Sequence, residues 1–200
     1  MRHRLLRLLA ALVASTALHA SAAPAVPADS VVSSITQQVL ARSAALGPVV
    51  DTAKLNTLVE SIVMPSVDFR TMTARAIGPR WRSATDDQKQ RLMNGFEALL
   101  IKTYAGAFGQ AAGATFRMKQ TIALDATTAE VHSEVRVRGG RDPIALNYRL
   151  AVEDDHWKIV DVSVMGVWLV ATYRTQFAQM LERTGSLDGL VQALEEHARR

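Results

Sequence analysis

The chain has 200 residues, 48% of them hydrophobic and 21% charged, with six prolines, a balance that excludes a disordered or collagen-like chain. Its formal charge of +4 invites a polyanionic partner, but three of the 23 basic side chains, Arg2, Arg4 and Arg7, stand in a leader without acids, so the rest carries 20 against 19. A body so near neutrality lacks the phosphate attraction behind nonspecific nucleic-acid binding, and that class is set aside.

The leader has three regions. Met1 to Arg7 is basic, Leu8 to Leu18 is apolar, and Ala20-Ser21-Ala22 is small. This is the pattern of a secretory signal peptide, and its apolar part of roughly 11 residues falls short of the roughly 20 that span a bilayer. Cleavage is expected after Ala22, because a cut one residue later would leave Pro24 at the new amino terminus. With no cysteine in the chain, neither a lipid-anchored cysteine nor a disulfide is available. The reading is residues 1–22 as an export signal, 23–29 as a proline-containing flexible arm, and 30–200 as one soluble domain in the periplasm.

In chain order, Asp29 or Ser30 caps a first helix reaching about Leu46, with Val32, Ile35 and Val39 on one face and Gly47-Pro48 as its stop. Leu55, Leu58, Val59 and Ile62 mark a second helix from Thr52 to Val63. Pro65 suits the first turn of a third, through Arg75, carrying Val67, Phe69 and Met72. After Gly78-Pro79, Thr85 and Gln88 form a capping box for the longest helix, whose apolar positions Leu92, Phe96, Leu99, Leu100, Tyr104 and Phe108 follow the helical period. Beyond Gly113 the period drops to two. Phe116, Met118, Ile122 and Leu124 alternate with polar residues, as do Val131, Val135 and Val137. The turn Gly139-Gly140-Arg141-Asp142-Pro143 leads to a third strand with Ile144, Leu146, Tyr148, Leu150 and Val152 on one side. A fourth, Trp157 to Val164, sets Val160, Val162 and Val164 on one face, and helices Trp168–Arg183 and Leu187–His197 finish the chain. Helices, a four-stranded meander, then helices predict an α+β domain.

Chemistry has few handles here. His132, His156 and His197 are too widely spaced for a local metal motif, no Gly-x-Ser-x-Gly or Ser-x-x-Lys occurs after the leader, and Asp86-Asp87, Asp154-Asp155 and Glu195-Glu196 are adjacent pairs whose side chains diverge. Gly139-Gly140 lacks the strand-loop-helix setting of a phosphate loop. No metal and no cofactor are expected. What remains is an apolar sheet face under amphipathic helices, which is either a filled core or the wall of a cavity for an apolar ligand.

Two segments resemble one family. Ile77-Gly-Pro-Arg-Trp-Arg-Ser-Ala-Thr-Asp-Asp-Gln88, followed by Leu99-Leu-Ile-Lys-Thr-Tyr104, and Trp157-Lys-Ile-Val-Asp-Val162 with Gly166-Val-Trp-Leu169 and Tyr173-Arg-Thr-Gln-Phe177 are similar to the MlaC (toluene-tolerance) family of periplasmic phospholipid carriers. The resemblance runs loosely from Ser30 to Leu194. It implies a curved, four-stranded, mostly antiparallel sheet wrapped by helices, an NTF2-like cone around an apolar lipid pocket, with bound phospholipid as ligand and no catalysis. It also implies a monomer that shuttles lipid between an outer-membrane lipoprotein complex and an inner-membrane MCE-domain/ABC transporter complex, maintaining outer-membrane lipid asymmetry. Trp168 stands where relatives carry a smaller residue and is expected to narrow the pocket; Pro79 stands where a basic residue is common. At about 0.8 kcal/mol per methylene, two tails of about 16 carbons need roughly 25 kcal/mol of sheltering, hence a cavity of order 1,000 Å³. The expected lining is Leu99, Leu100, Tyr104 and Phe108 from the long helix, Val135, Leu146, Tyr148, Val162 and Val164 from the strands, and Trp168, Leu169 and Tyr173 beyond them. Arg82 or Arg149 could meet the lipid phosphate, but pairing of Arg80, Arg82 and Arg149 with acids is the favoured reading. The rivals are a hopanoid carrier, an isomerase or dehydratase using Asp161 and Tyr148, and an interaction module such as a lipoprotein chaperone.

Overall fold

The computed structural model describes residues 26–45, 52–108, 111 and 113–199, without the side chains of Thr52 and Phe108. The leader, its cleavage point and residues 23–25 of the arm lie outside the described residues.

Helix α1 spans Ala28–Ala45, so it takes in the last two residues assigned to the arm; the Ser30 amide donates to Pro27 O at its first turn (3.1 Å). Helix α2, Thr52–Leu58, runs into a π-helical turn over Val59–Val63 and a 3-10 turn over Met64–Ser66. The third helix does not start at Pro65. Asp68 accepts from the Thr71 amide at 2.8 Å and caps α3, Phe69–Ile77, because its carboxylate fills the orphan-donor site that proline only tolerates. The Thr85/Gln88 box is formed as read, both bonds at 3.1 Å, and opens α4, Asp86–Phe108. Gly185 at φ 74° ends α5, Leu169–Thr184, in the left-handed conformation, and α6 runs Leu187–Arg199.

The strands β1 (Thr115–Ala123), β2 (Thr128–Arg136), β3 (Ile144–Glu153), β4 (His156–Val164) and β5 (Val167–Trp168) form an open antiparallel sheet in sequence order. The class is α+β as expected, with five strands rather than four: the two residues of β5 pair Trp168 with Ser163 and Val167 with Val164. Along the rest of β4's outer edge, Val67 bridges to Ile159 and the Asp68 amide donates to Ile159 O, covering an edge that would otherwise stay exposed.

Two irregularities reassign faces. In β1 the register slips between Met118 and Gln120, so Thr121 lies opposite buried Val131 and Ile122 opposite Glu130. Ile122 and Leu124 are therefore exposed, against the simple alternation. Between β3 and β4 the register passes from Arg149 opposite Asp161 to Leu150 opposite Ile159, so Val160 is the extra residue and Ile159 shares the inner face with Val162.

The apolar interior is three clusters. One, wholly helical, joins Met72, Leu92, Phe96, Tyr173, Phe177, Leu190 and Leu194. A second sets Val32 of α1 against Ala129, Val131, Leu150 and Ile159 of the sheet. The third packs Val39, Leu55, Leu58 and Val59 against Ile101 and Ala105 of α4.

Candidate functional site

Where the three clusters meet, they do not close. A cavity of about 340 Å³ lies between the inner sheet face, α1, the π-helical turn and the C-terminal half of α4. Its walls take residues from each cluster: Met72 and Leu100, Val32 and Ile159, Val39, Val59, Ile101 and Ala105. Among the described lining residues, the side chains of Thr36, Tyr104 and Tyr148 alone carry oxygen and none carries a charge.

Thr36 Oγ1 donates to Val32 O at 2.8 Å, satisfying itself within its helix. Removal from water pushes the Tyr148 phenol up to about 12. The phenol of Tyr173 is likewise pushed up to about 12, first by burial and then by Tyr104. The surface facing the hollow is thus almost wholly hydrocarbon, and such a surface discriminates by shape and apolarity rather than by polar grip.

Of the twelve residues expected to line a pocket, Leu100, Tyr104, Val135, Leu146, Tyr148, Val162, Val164 and Leu169 border this cavity. Leu99 and Tyr173 do not; they belong to the helical cluster, where Tyr173 meets Phe96 edge-on at 5.0 Å between ring centroids. Trp168 does not either. Its position opposite Ser163 turns the indole to the outer sheet face, where the Arg149 guanidinium lies 3.8 Å from its ring centroid. The indole therefore leaves the cavity un-narrowed. The side chain of Phe108 lies outside the described residues.

Sequence reasoning missed the opposite wall. Val32, Ile35 and Val39 of α1, Val59 and Val63 of the π-helical turn, and Val67 and Phe69 all border the cavity, as do Ala105, Ala107 and Ala111. The stripe on α1 was a visible signal, whereas alanines carry none. This wall also explains why the cavity falls well below the expected 1,000 Å³ and sits near the lower end of the roughly 300–1,000 Å³ usual for ligand sites. Helix α1 packs against the sheet and fills the deep end with Val32, which is 1% exposed.

The charged residues reviewed above lie elsewhere. Asp161 is buried on the face opposite Tyr148. Its Oδ1 accepts from the Val162 amide (2.9 Å) and the Val170 amide (3.0 Å), the latter in the first turn of α5. Burial raises its carboxyl above the ordinary aspartate range despite those bonds and the nearby Arg149 and Arg75. Arg149 pairs with Glu130 at 3.3 Å and reaches Asp161 at 3.9 Å. Arg80 and Arg82 make no ion pair among the described residues, contrary to the pairing expected of them; both are exposed beside Trp81, which packs on the helical cluster and lies 6.0 Å from the Arg70 guanidinium. His132 bonds Glu130 at 2.6 Å on the outer sheet face, and His156 Nδ1 meets Asp154 O in a turn. None of these side chains borders the hollow.

A family model described as MlaC protein matches residues 33–196 of the chain. Among solved structures, a phospholipid-binding protein from Ralstonia solanacearum, in complex with a phospholipid, is 35% identical in sequence. The match covers 87% of this chain and 98% of that one, with a TM-score of 0.79.

Proposed function

Because the chain belongs to the MlaC family, we propose that it is an exported phospholipid carrier that shelters acyl tails in the cavity between the sheet and α1. The observation that carries this reading is the wall itself, which among the described lining residues bears no charge and only three side-chain oxygens. The similar phospholipid complex from Ralstonia solanacearum supports the ligand class. The chain's part in transport is then to load lipid at one membrane of the envelope and unload it at the other, between an outer-membrane lipoprotein complex and an inner-membrane ABC transporter with its MCE-domain protein. An isomerase or dehydratase finds no support, since Asp161 and Tyr148 occupy opposite faces of the sheet and Asp161 is committed to α5.

Protein exported by a bacterial host and extracted with solvent is expected to release about one phospholipid per chain by mass spectrometry, with Ala23 as its amino terminus. An empty protein that also accepts none from vesicles would sink the reading, and a different lipid class in the extract would redirect it. Leu146→Arg or Val164→Asp places a charge in the wall and is expected to abolish loading. A folded variant that loads normally would remove the cavity from the function.

A further inference from the structure

The lining has a deep end and an open end. Along β2 exposure rises from Val131 to Val135 and Val137, along β3 from Leu150 to Leu146 and Ile144, and along β4 from Ile159 to Val162 and Val164. Across from them, Ala105 of α4 is buried and Ala107 exposed. The cavity therefore opens where the β2–β3 hairpin and the β4–β5 turn lie. From this end, we propose that the rim docks on the surface of an anionic phospholipid bilayer, with Met165 and Val167 entering the interface and Arg136, Arg138 and Arg141 facing the lipid phosphates; the proposal rests on the carrier reading above.

Three observations converge on it. Met165 and Val167 are 63% and 57% exposed, two large apolar side chains offered side by side at the mouth. Met165 holds φ 52° beside Gly166 at φ 85°, in a two-residue hairpin turn that favours asparagine or glycine. An apolar side chain at a strained, exposed tip points to a use outside the fold. The charges agree. On the outer sheet face Arg117, Lys119 and Arg149 are each paired with an acid, whereas Arg136, Arg138 and Arg141 form no ion pair among the described residues, and Asp142 is the one acid between Arg136 and Ile144. The opposite end of the sheet carries Asp125, Glu153, Asp154 and Asp155 against Lys158. An anionic surface would thus attract the mouth and repel the far end, presenting the opening to the lipid.

The test is sedimentation of the exported protein with vesicles of phosphatidylglycerol and phosphatidylcholine, and with phosphatidylcholine alone. Binding is expected on the mixed vesicles, weakening with salt. Removing Arg138 and Arg141 together as serines is expected to weaken it about 25-fold, from about fivefold per charge near such a surface. Met165→Asn suits the turn, so the fold is kept while the apolar tip is lost, and binding falls severalfold. Leu124→Ser, at the acidic end, leaves binding unchanged. The proposal is overturned by no sedimentation on the mixed vesicles, which would leave the rim to a protein partner, by equal binding to neutral vesicles, or by Leu124→Ser mattering as much as Met165→Asn. Protein that carries extractable phospholipid yet ignores vesicles sinks the docking alone; protein that binds vesicles but never holds lipid sinks the carrier reading.

Discussion

The helical half of the molecule is solid and the sheet half is hollow, although both are built from apolar residues in regular elements. Among the helices, Phe96, Tyr173 and Phe177 interlock with centroids 5.0 to 5.7 Å apart, and Leu92, Leu190 and Leu194 fill the gaps around them. Around the cavity, valines, isoleucines and alanines make up most of the lining, and their short side chains leave the space between the sheet and α1 unfilled. Hydrophobicity brings both halves together, but side-chain reach decides which is filled. The hollow persists because the solid half and the α1–sheet contact hold its walls apart.

The largest effect expected of a single change is in the solid half. Phe96 is wholly buried between two aromatic partners, and Phe96→Ala should cost about 3–5 kcal/mol in urea unfolding, a large share of a typical stability of about 5–15 kcal/mol. The fraction that remains folded is expected to load lipid normally. Loss of loading in a folded variant would show that the halves are not separable. Next is Gly95, where an added Cβ would come within 2.8 Å of Leu194 Cβ on α6. The helix-propensity gain of about 1 kcal/mol is set against about 1–3 kcal/mol of overpacking, so Gly95→Ala should lower the unfolding midpoint. A rise would mean that α6 shifts freely and that this half is less solid than drawn.

Asp161 stands at the joint between the halves, fastening β4 to α5. Both backbone bonds fall on Oδ1, so Asp161→Asn can keep them while losing the charge, whereas Asp161→Ala strands two amides at about 1–3 kcal/mol each. Burial raises this carboxyl above its unfolded value, so its stabilising contribution is greatest when protonated, below about pH 3.9, and is lost as pH rises through the folded value. Wild type should therefore lose stability relative to Asp161→Asn between acid and neutral pH. A pH-independent difference would mean that the carboxylate is fully compensated by Arg149 and the two amides.

The caps, turns and helical stripes were legible because they depend on neighbours in sequence. The Thr85/Gln88 box and the inner parity of Val135, Leu146 and Tyr148 follow from spacing alone. Each bulge is invisible in the sequence, since one inserted residue changes parity without changing composition; this is why Ile122 and Leu124 turn outward and Ile159 joins Val162 on the inner face, against the simple alternation. The same limit applied to the site. Periodicity shows that Leu99, Leu100, Tyr104 and Tyr173 face inward, but whether inward means toward α6 or toward the sheet depends on the crossing of helices, which no local pattern encodes. The wall supplied by α1 comes from residues about 100 positions from the strands it faces, and its approach is what set the cavity's size.

The smallest expected change in stability gives the sharpest contrast between the halves. Val164 borders the cavity at its open end and is partly exposed, so Val164→Phe extends a ring into space that no atom occupies. Overpacking costs arise where a new atom meets an old one, as at Gly95, and a ring with room to settle should shift the unfolding free energy by less than about 1 kcal/mol. Lipid per chain, read by mass spectrometry after extraction, should nevertheless fall, because the ring takes volume the tails would use. A large destabilisation would mean that the walls already touch and the hollow half is a second core. Unchanged loading would mean that tails lie along another wall, with α1 as the first place to look. A single methyl group that costs more at Gly95 than a phenyl ring does at Val164 would separate packing from capacity without reference to any relative.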